Sequence, residues 1–218
     1  MKTALIFGSS GLIGNNLVKI ILQNNKYDQI KLFVRSEKEN NNPKLEIIKT
    51  DFNNLEKHKN SIVGDDCFFC IGTTRKNTPN KNEYIKVEYN LPVAVAKMAK
   101  SNSVNHFIYV SSLGSNPNAS GLYLKNKGQT EEALKKLNFP KLSIMRPSIL
   151  LGNRKENRIG EKIGIFIMKS FSPFFLGKMR KYKPIKVENV AKAMINVVEK
   201  NYQKTIFESD KIMEISNS

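Results

Sequence analysis

Three glycines, Gly8, Gly11 and Gly14, fall within the segment IFGSSGLIGNN, and no other feature of the chain restricts its fold as much. The run before them, KTALIFG (2–8), is apolar and has the length of a buried strand. The run after them, GLIGNNLVKIILQN (11–24), carries its apolar residues at helical spacing. Glycines at such a strand-to-helix turn permit a tight bend and let a ligand approach the main chain. The start of the helix then offers unpaired N–H groups and the positive end of a dipole. A strand, a glycine turn and a helix in this order form a cradle for a pyrophosphate. Gly8, Ser10, Gly11, Leu12, Ile13 and Gly14 are its candidate residues.

The alternation continues. IKLFVRS (30–36), LEIIKTD (45–51), DCFFCIG (66–72), HFIYVSS (106–112) and LSIMRPS (142–148) read as strands. YNLPVAVAKMAKSN (89–102), with Asn90 as candidate cap and Pro92 in its first turn, and YLKNKGQTEEALKKLN (123–138) read as helices. This order predicts an α/β, doubly wound parallel sheet, the Rossmann fold, as a single domain over 1–218. The rhythm changes near residue 150. VENVAKAMINVVEKN (187–201) is an amphipathic helix and KTIFES (204–209) a short strand. Residues from about 150 to 218 are expected to form a small substrate-side extension closing a cleft over the strand ends. Local disorder is expected only in SEKENNNPK (36–44) and at the last few residues.

A dinucleotide cradle raises the question of which nucleotide. NAD binders place an acid about twenty residues beyond the glycines to hold the ribose hydroxyls. Here the second strand ends in FVRSEK, so Arg35 and Ser36 take that place. A guanidinium and a hydroxyl suit a 2′-phosphate, which favours NADP; Glu37 keeps NAD open. Asp51, with Phe52 beside it, is placed to meet the adenine. In IGTT (71–74), after the fourth strand, small residues would let the backbone of Ile71, Gly72 and Thr73 approach the cofactor.

The chain has 36 basic and 19 acidic residues, a net charge of +17. The lysines are scattered, and heavy use of Lys, Asn and Ile with scarce Arg is the profile of AT-rich coding, so no specific nucleic-acid partner is expected. No apolar stretch reaches membrane-spanning length and the amino terminus does not read as a signal peptide, so stable membrane insertion is not expected. Two cysteines give no disulfide framework, and the expected compartment is the cytoplasm. CFFC (67–70) lies on a strand, where residues three apart point to opposite faces, so no metal site is expected.

Tyr123 and Lys127 have the spacing of one helical turn, but so do Tyr27 and Lys31, and Tyr182 and Lys186. Position separates them. Tyr27 falls at the wrong end of a parallel sheet, and Pro184 lies inside the spacing of Tyr182. Tyr123 alone follows a core strand ending in YVSS, at the end of the sheet where ligands bind. Ser111 or Ser112 and Tyr123 could therefore meet over a cofactor.

The glycine loop, the serines closing the fifth strand and Tyr-x-x-x-Lys, in that order, resemble the short-chain dehydrogenase/reductase superfamily. FFCIGTTRKN, YIKVEYN, HFIYVSSLGS, YLKNKGQTEEAL, SIMRPSILLGNRKENRIGE and PIKVENVAKAM resemble its small atypical branch related to Tat-interacting oxidoreductases. The resemblance implies a bound nicotinamide cofactor with Tyr123 as general acid. It also implies that Lys127 favours the phenolate and holds the nicotinamide ribose, that Ser112 orients the substrate carbonyl with Ser111 as the alternative, and that Pro147 borders the nicotinamide. Asn90 resembles an asparagine of the extended relatives. The expected activity is NADP-dependent hydride transfer to or from a small carbonyl or alcohol. The alternative is a non-catalytic NADP-binding regulator or redox sensor. A third reading, contact with lipid-like molecules, rests on IGIFIMKSFSPFFLGKMRKYK, for which an apolar face packed on the cleft is preferred. Arg154 and Arg158 in NRKENR are candidates for an anionic substrate group or a solvated turn.

Overall fold

The computed structural model describes residues 2–36, 40–152, 177–200 and 202–218. The chain begins with β1 (Lys2–Phe7), α1 (Leu12–Leu22), β2 (Tyr27–Val34) and β3 (Leu45–Lys49). A 3-10 turn (Leu55–Ser61) leads to β4 (Asp66–Phe69). Then come α2 (Lys81–Ile85), a π-helical turn (Lys86–Asn90), α3 (Leu91–Ser101), β5 (His106–Val110), α4 (Leu122–Lys136) and β6 (Lys141–Arg146). The remainder holds β7 (Leu150–Leu151), a 3-10 turn (Gly177–Tyr182), β8 (Ile185–Lys186), α5 (Val187–Glu199), β9 (Ile206–Glu208) and α6 (Ser209–Ser216).

Seven strands form one parallel sheet in the order β3-β2-β1-β4-β5-β6-β9. The order reverses between β1 and β4, and a crevice opens at the carboxyl ends there. The central strands β1, β4 and β5 are apolar on both faces because both are covered. Ala4, Ile6, Phe68 and Ile108 face α1, α5 and α6 through Leu17, Ile21, Val190, Met194 and Ile212. Leu5, Phe7, Phe69 and Phe107 face the other way, toward Val95, Ala96 and Leu134 of α3 and α4. Cys67 joins the second core and Cys70 packs against the first, so the two free thiols lie on opposite faces of the sheet.

Three expectations are corrected. Asn90 caps no helix: its backbone is helical (φ −65°, ψ −45°) and its side chain makes no capping bond. The helical stretch begins at Lys81, where Asn80 accepts from the N–H groups of Asn82 and Glu83. Pro92 cannot donate to the carbonyl of Glu88 four residues back, and the Thr130 hydroxyl donates to that carbonyl instead, at 2.9 Å. The last residues are ordered as α6, with Ile212 and Ile215 buried. Finally, α5 and β9 do not lie over the strand ends. Packing on α1 and pairing with β6, they continue the helical layer and the sheet.

At the amino-terminal end of the sheet, His106 is 3% exposed and its Nε2 lies 2.8 Å from Ser143 Oγ. Burial first, then Lys141 and Lys2, hold its imidazole down to about 4. An unfolded imidazole titrates near ~6.5. Between these values the unfolded chain binds more protons than the folded one, so stability falls as the pH drops from about 6.5 to about 4. The expected loss is about 3 kcal/mol. Thermal unfolding of wild type and His106→Gln across this window checks it: the variant should lose that part of the acid sensitivity, and parallel curves would reject it.

Candidate active site

The turn after β1 is built by its glycines. Gly8 has φ +92°, and a Cβ there would fall 2.8 Å from the backbone of Cys70 and Ile71, just after the neighbouring strand β4. A Cβ on Gly14 would fall 2.1 Å from the Gly8 carbonyl oxygen, so Gly14 lets α1 seat on the turn and does not itself line the cleft.

Beside this turn runs a cleft with two ends. A space of about 780 Å³ is lined by Gly8, Ser10, Gly11, Arg35, Ser36, Asp51 and Phe52. A space of about 400 Å³ is lined by Leu12, Ile13, Ser111, Ser112, Tyr123, Lys127 and Pro147. Gly11, Cys70, Ile71, Gly72 and Thr73 line both, so the cleft is continuous past the end of β4. Its shape fits an extended dinucleotide: an apolar recess with Phe52, Leu55 and Met98 at one end, glycine backbone in the middle, hydroxyls and an ammonium at the other.

In the larger space Arg35 and Ser36 are exposed at the end of β2. The Asp51 carboxylate is turned to its own loop, accepting from the N–H groups of Asn53 and Asn54 at 3.0 and 3.3 Å. Phe52 is held in the left-handed region (φ 62°), uncommon for an aromatic residue, and its ring packs 6.4 Å from that of Phe7.

At the smaller end, Tyr123 stands 41% exposed on the first turn of α4. Lys127, one turn on, is 4% exposed. Its ammonium lies 3.0 Å from Glu88 Oε2, donates to the Val110 carbonyl at 3.1 Å and sits 4.9 Å from the centre of the Tyr109 ring. Burial alone would weaken its charge, but Tyr109, Glu88 and Tyr123 outweigh that and raise its pKa well above the ordinary lysine value. The other Glu88 oxygen accepts the N–H of Thr73. Glu88 thus ties Lys127 to the loop after β4.

Glu88 is a site residue that the sequence reading missed, although a signal was present. Tyr84, Glu88, Leu91 and Val95 follow helical spacing and all are buried. An acid on an apolar stripe implies a buried cation opposite it.

The two serines differ in their surroundings. The Ser111 hydroxyl donates to buried Glu131 and lies 2.9 Å from Ser115 Oγ; Glu131 is in turn held by Arg146. The Ser112 hydroxyl has one distant contact, 3.4 Å to the Leu113 carbonyl, and the residue is half-buried at the cleft wall. Tyr27 is buried at the opposite end of the sheet, donating to Asp66 at 2.8 Å, and Tyr182 is exposed at the end of a 3-10 turn. Glu37, Arg154, Arg158 and most of IGIFIMKSFSPFFLGKMRKYK lie outside the described residues. Among the described residues no helix is long and apolar enough to cross a membrane.

A family model described as NAD(P)H-binding matches residues 8–201. The chain is similar to Protein HTATIP2 of Rattus norvegicus, 31% identical over 201 residues that cover 89% of this chain and 80% of that one. It is similar to Protein FMP52, mitochondrial, of Debaryomyces hansenii, 32% identical over 202 residues that cover 89% of this chain and 87% of that one. Among solved structures, a UDP-N-acetylglucosamine 4-epimerase from Methanobrevibacter ruminantium matches with a TM-score of 0.70 at 17% identity, covering 92% of this chain and 74% of that one. The Bordetella bronchiseptica enzyme WbmH, in complex with NAD+, matches with a TM-score of 0.70 at 15% identity, covering 100% and 80%. Both likenesses concern the fold.

Proposed function

Because the chain belongs to the NAD(P)H-binding family, we propose that it is an NADP-dependent reductase acting on a small carbonyl compound, or on the corresponding alcohol in reverse. The observation that carries this reading is the continuity of the cleft. Ser112, Tyr123, Lys127 and Pro147 line one end, and the glycine turn with Arg35 and Ser36 lines the other.

When bound, the nicotinamide supplies or accepts the hydride. Tyr123 donates its phenolic proton to the carbonyl oxygen as that oxygen gains negative charge. Ser112, whose hydroxyl is not engaged by Glu131, donates a hydrogen bond to the same oxygen and fixes its direction. Lys127 offers its remaining N–H to the nicotinamide ribose, while Glu88 and the Val110 carbonyl keep the ammonium in place. Pro147 borders the nicotinamide without adding a donor. A regulator that only bound the nucleotide would need the glycine turn but not Ser112, Tyr123 and Lys127 together.

NADP is favoured by Arg35 and Ser36. A guanidinium bonded to a phosphate contributes roughly 1.5–3 kcal/mol, so Arg35→Asp is expected to weaken NADPH binding by about ten- to a hundredfold and to change NADH binding little. Titration of both proteins with both nucleotides checks this. Equal wild-type affinities that the substitution leaves unchanged would remove Arg35 from the site. The reductase reading itself is tested by screening carbonyl compounds for oxidation of NADPH by the purified protein. A reducing compartment such as the cytoplasm fits the two free thiols, whereas the Debaryomyces relative is named mitochondrial; cell fractionation separates the two.

A further inference from the structure

Among the described residues, the charged ones lining the substrate end of the cleft are Arg75, Glu88 and Lys127. Glu88 and Lys127 cancel one another as a buried pair. Arg75 is exposed and has no hydrogen-bond or ion-pair partner among the described residues. Its guanidinium is nonetheless placed, lying 5.5 Å from the centre of the Tyr84 ring. Tyr84 is 1% exposed, which makes the ring a fixed shelf. The turn that carries Arg75 is also closed: Asn77 and Thr78 donate to the Thr74 carbonyl at 3.0 and 2.9 Å, and the hydroxyls of Thr73 and Thr78 meet at 2.8 Å. Tyr123 and Tyr84 line the same space, and burial first, then Glu88 and Tyr123, push the Tyr84 phenol up to about 12.

A guanidinium held over a fixed ring with free N–H groups, lining the same space as the proposed acid while the other two charges described in that lining pair with each other, is a receptor for one planar anion. We propose that Arg75 anchors a carboxylate of the substrate, so that the substrate class is keto acids and their hydroxy-acid products. This rests on the reductase reading for the substrate's carbonyl, but the anion site can be tested by binding alone. The competing ligand of the same chemistry is the cofactor's pyrophosphate.

The test is calorimetric titration of the protein saturated with NADP+, using 2-oxo-, 4-oxo- and 6-oxo-alkanoates and their methyl esters. At least one keto acid is expected to bind ten times or more tighter than its ester. Arg75→Gln should remove that difference and leave ester and NADP+ affinities unchanged. Acids and esters binding alike, or neither binding, would overturn the proposal. So would a matching loss of NADP+ affinity in Arg75→Gln, which would give Arg75 to the pyrophosphate. Selective acid binding without any NADPH oxidation supports the anchor and rejects the reductase reading.

Discussion

Replacing Tyr123 by Phe is expected to lower the rate of carbonyl reduction by about 10²–10⁴-fold, the usual cost of removing a positioned acid. NADPH affinity should be nearly unchanged, because the phenol acts on the substrate oxygen and contributes little to the nucleotide cleft. The ring remains, so packing on the first turn of α4 is kept. Tyr182→Phe is the matched control. Tyr182 has the same spacing to a lysine but lies on a separate 3-10 turn and does not line the cleft. The measurement is kcat together with the Kd for NADPH in both variants. Normal turnover by Tyr123→Phe would take the acid role from this residue.

Glu88→Leu is expected to be strongly destabilising. It leaves the buried Lys127 ammonium without its carboxylate and frees the Thr73 N–H as well. Breaking a buried ion pair from one side costs roughly 3–5 kcal/mol. For a chain of this size that corresponds to a fall of about 10 °C in Tm. The double variant Glu88→Leu with Lys127→Met removes both charges and should recover much of the lost stability, yet remain inactive because the ribose contact is gone. Thermal unfolding of the two variants checks this. A single variant as stable as wild type would mean that Lys127 does not depend on Glu88.

Much of the frame could be read from the sequence because it is written in local patterns. The central strands are short apolar runs, and the glycine turn announces the switch point between β1 and β4. The position of Tyr123 after YVSS separates it from Tyr27 and Tyr182 on topology alone. What could not be read depends on neighbours distant in sequence. Strand alternation cannot say whether Ser111 or Ser112 keeps its hydroxyl free for a ligand, since both follow β5 directly and both line the cleft. The partner that occupies Ser111 is Glu131, on α4. Asn90 before Leu91 and Pro92 imitates a helix start, because a π turn there accommodates the proline and conceals the true start at Asn80. The terminal helix has only eight residues, and its order comes from burying Ile212 and Ile215 against the rest of the fold; a single-sequence reading sees only a short polar tail.

The most direct test of the central claim follows the hydride itself. Protein loaded with NADPH deuterated at nicotinamide C4 is mixed with the carbonyl compounds of the screen, keto acids included, and the alcohols are analysed for deuterium at the former carbonyl carbon. The account predicts direct transfer to that carbon by wild type, and little or none by Tyr123→Phe at equal cofactor occupancy. Full occupancy by NADPH with no deuterium in any product would contradict it and leave a nucleotide-binding regulator in its place.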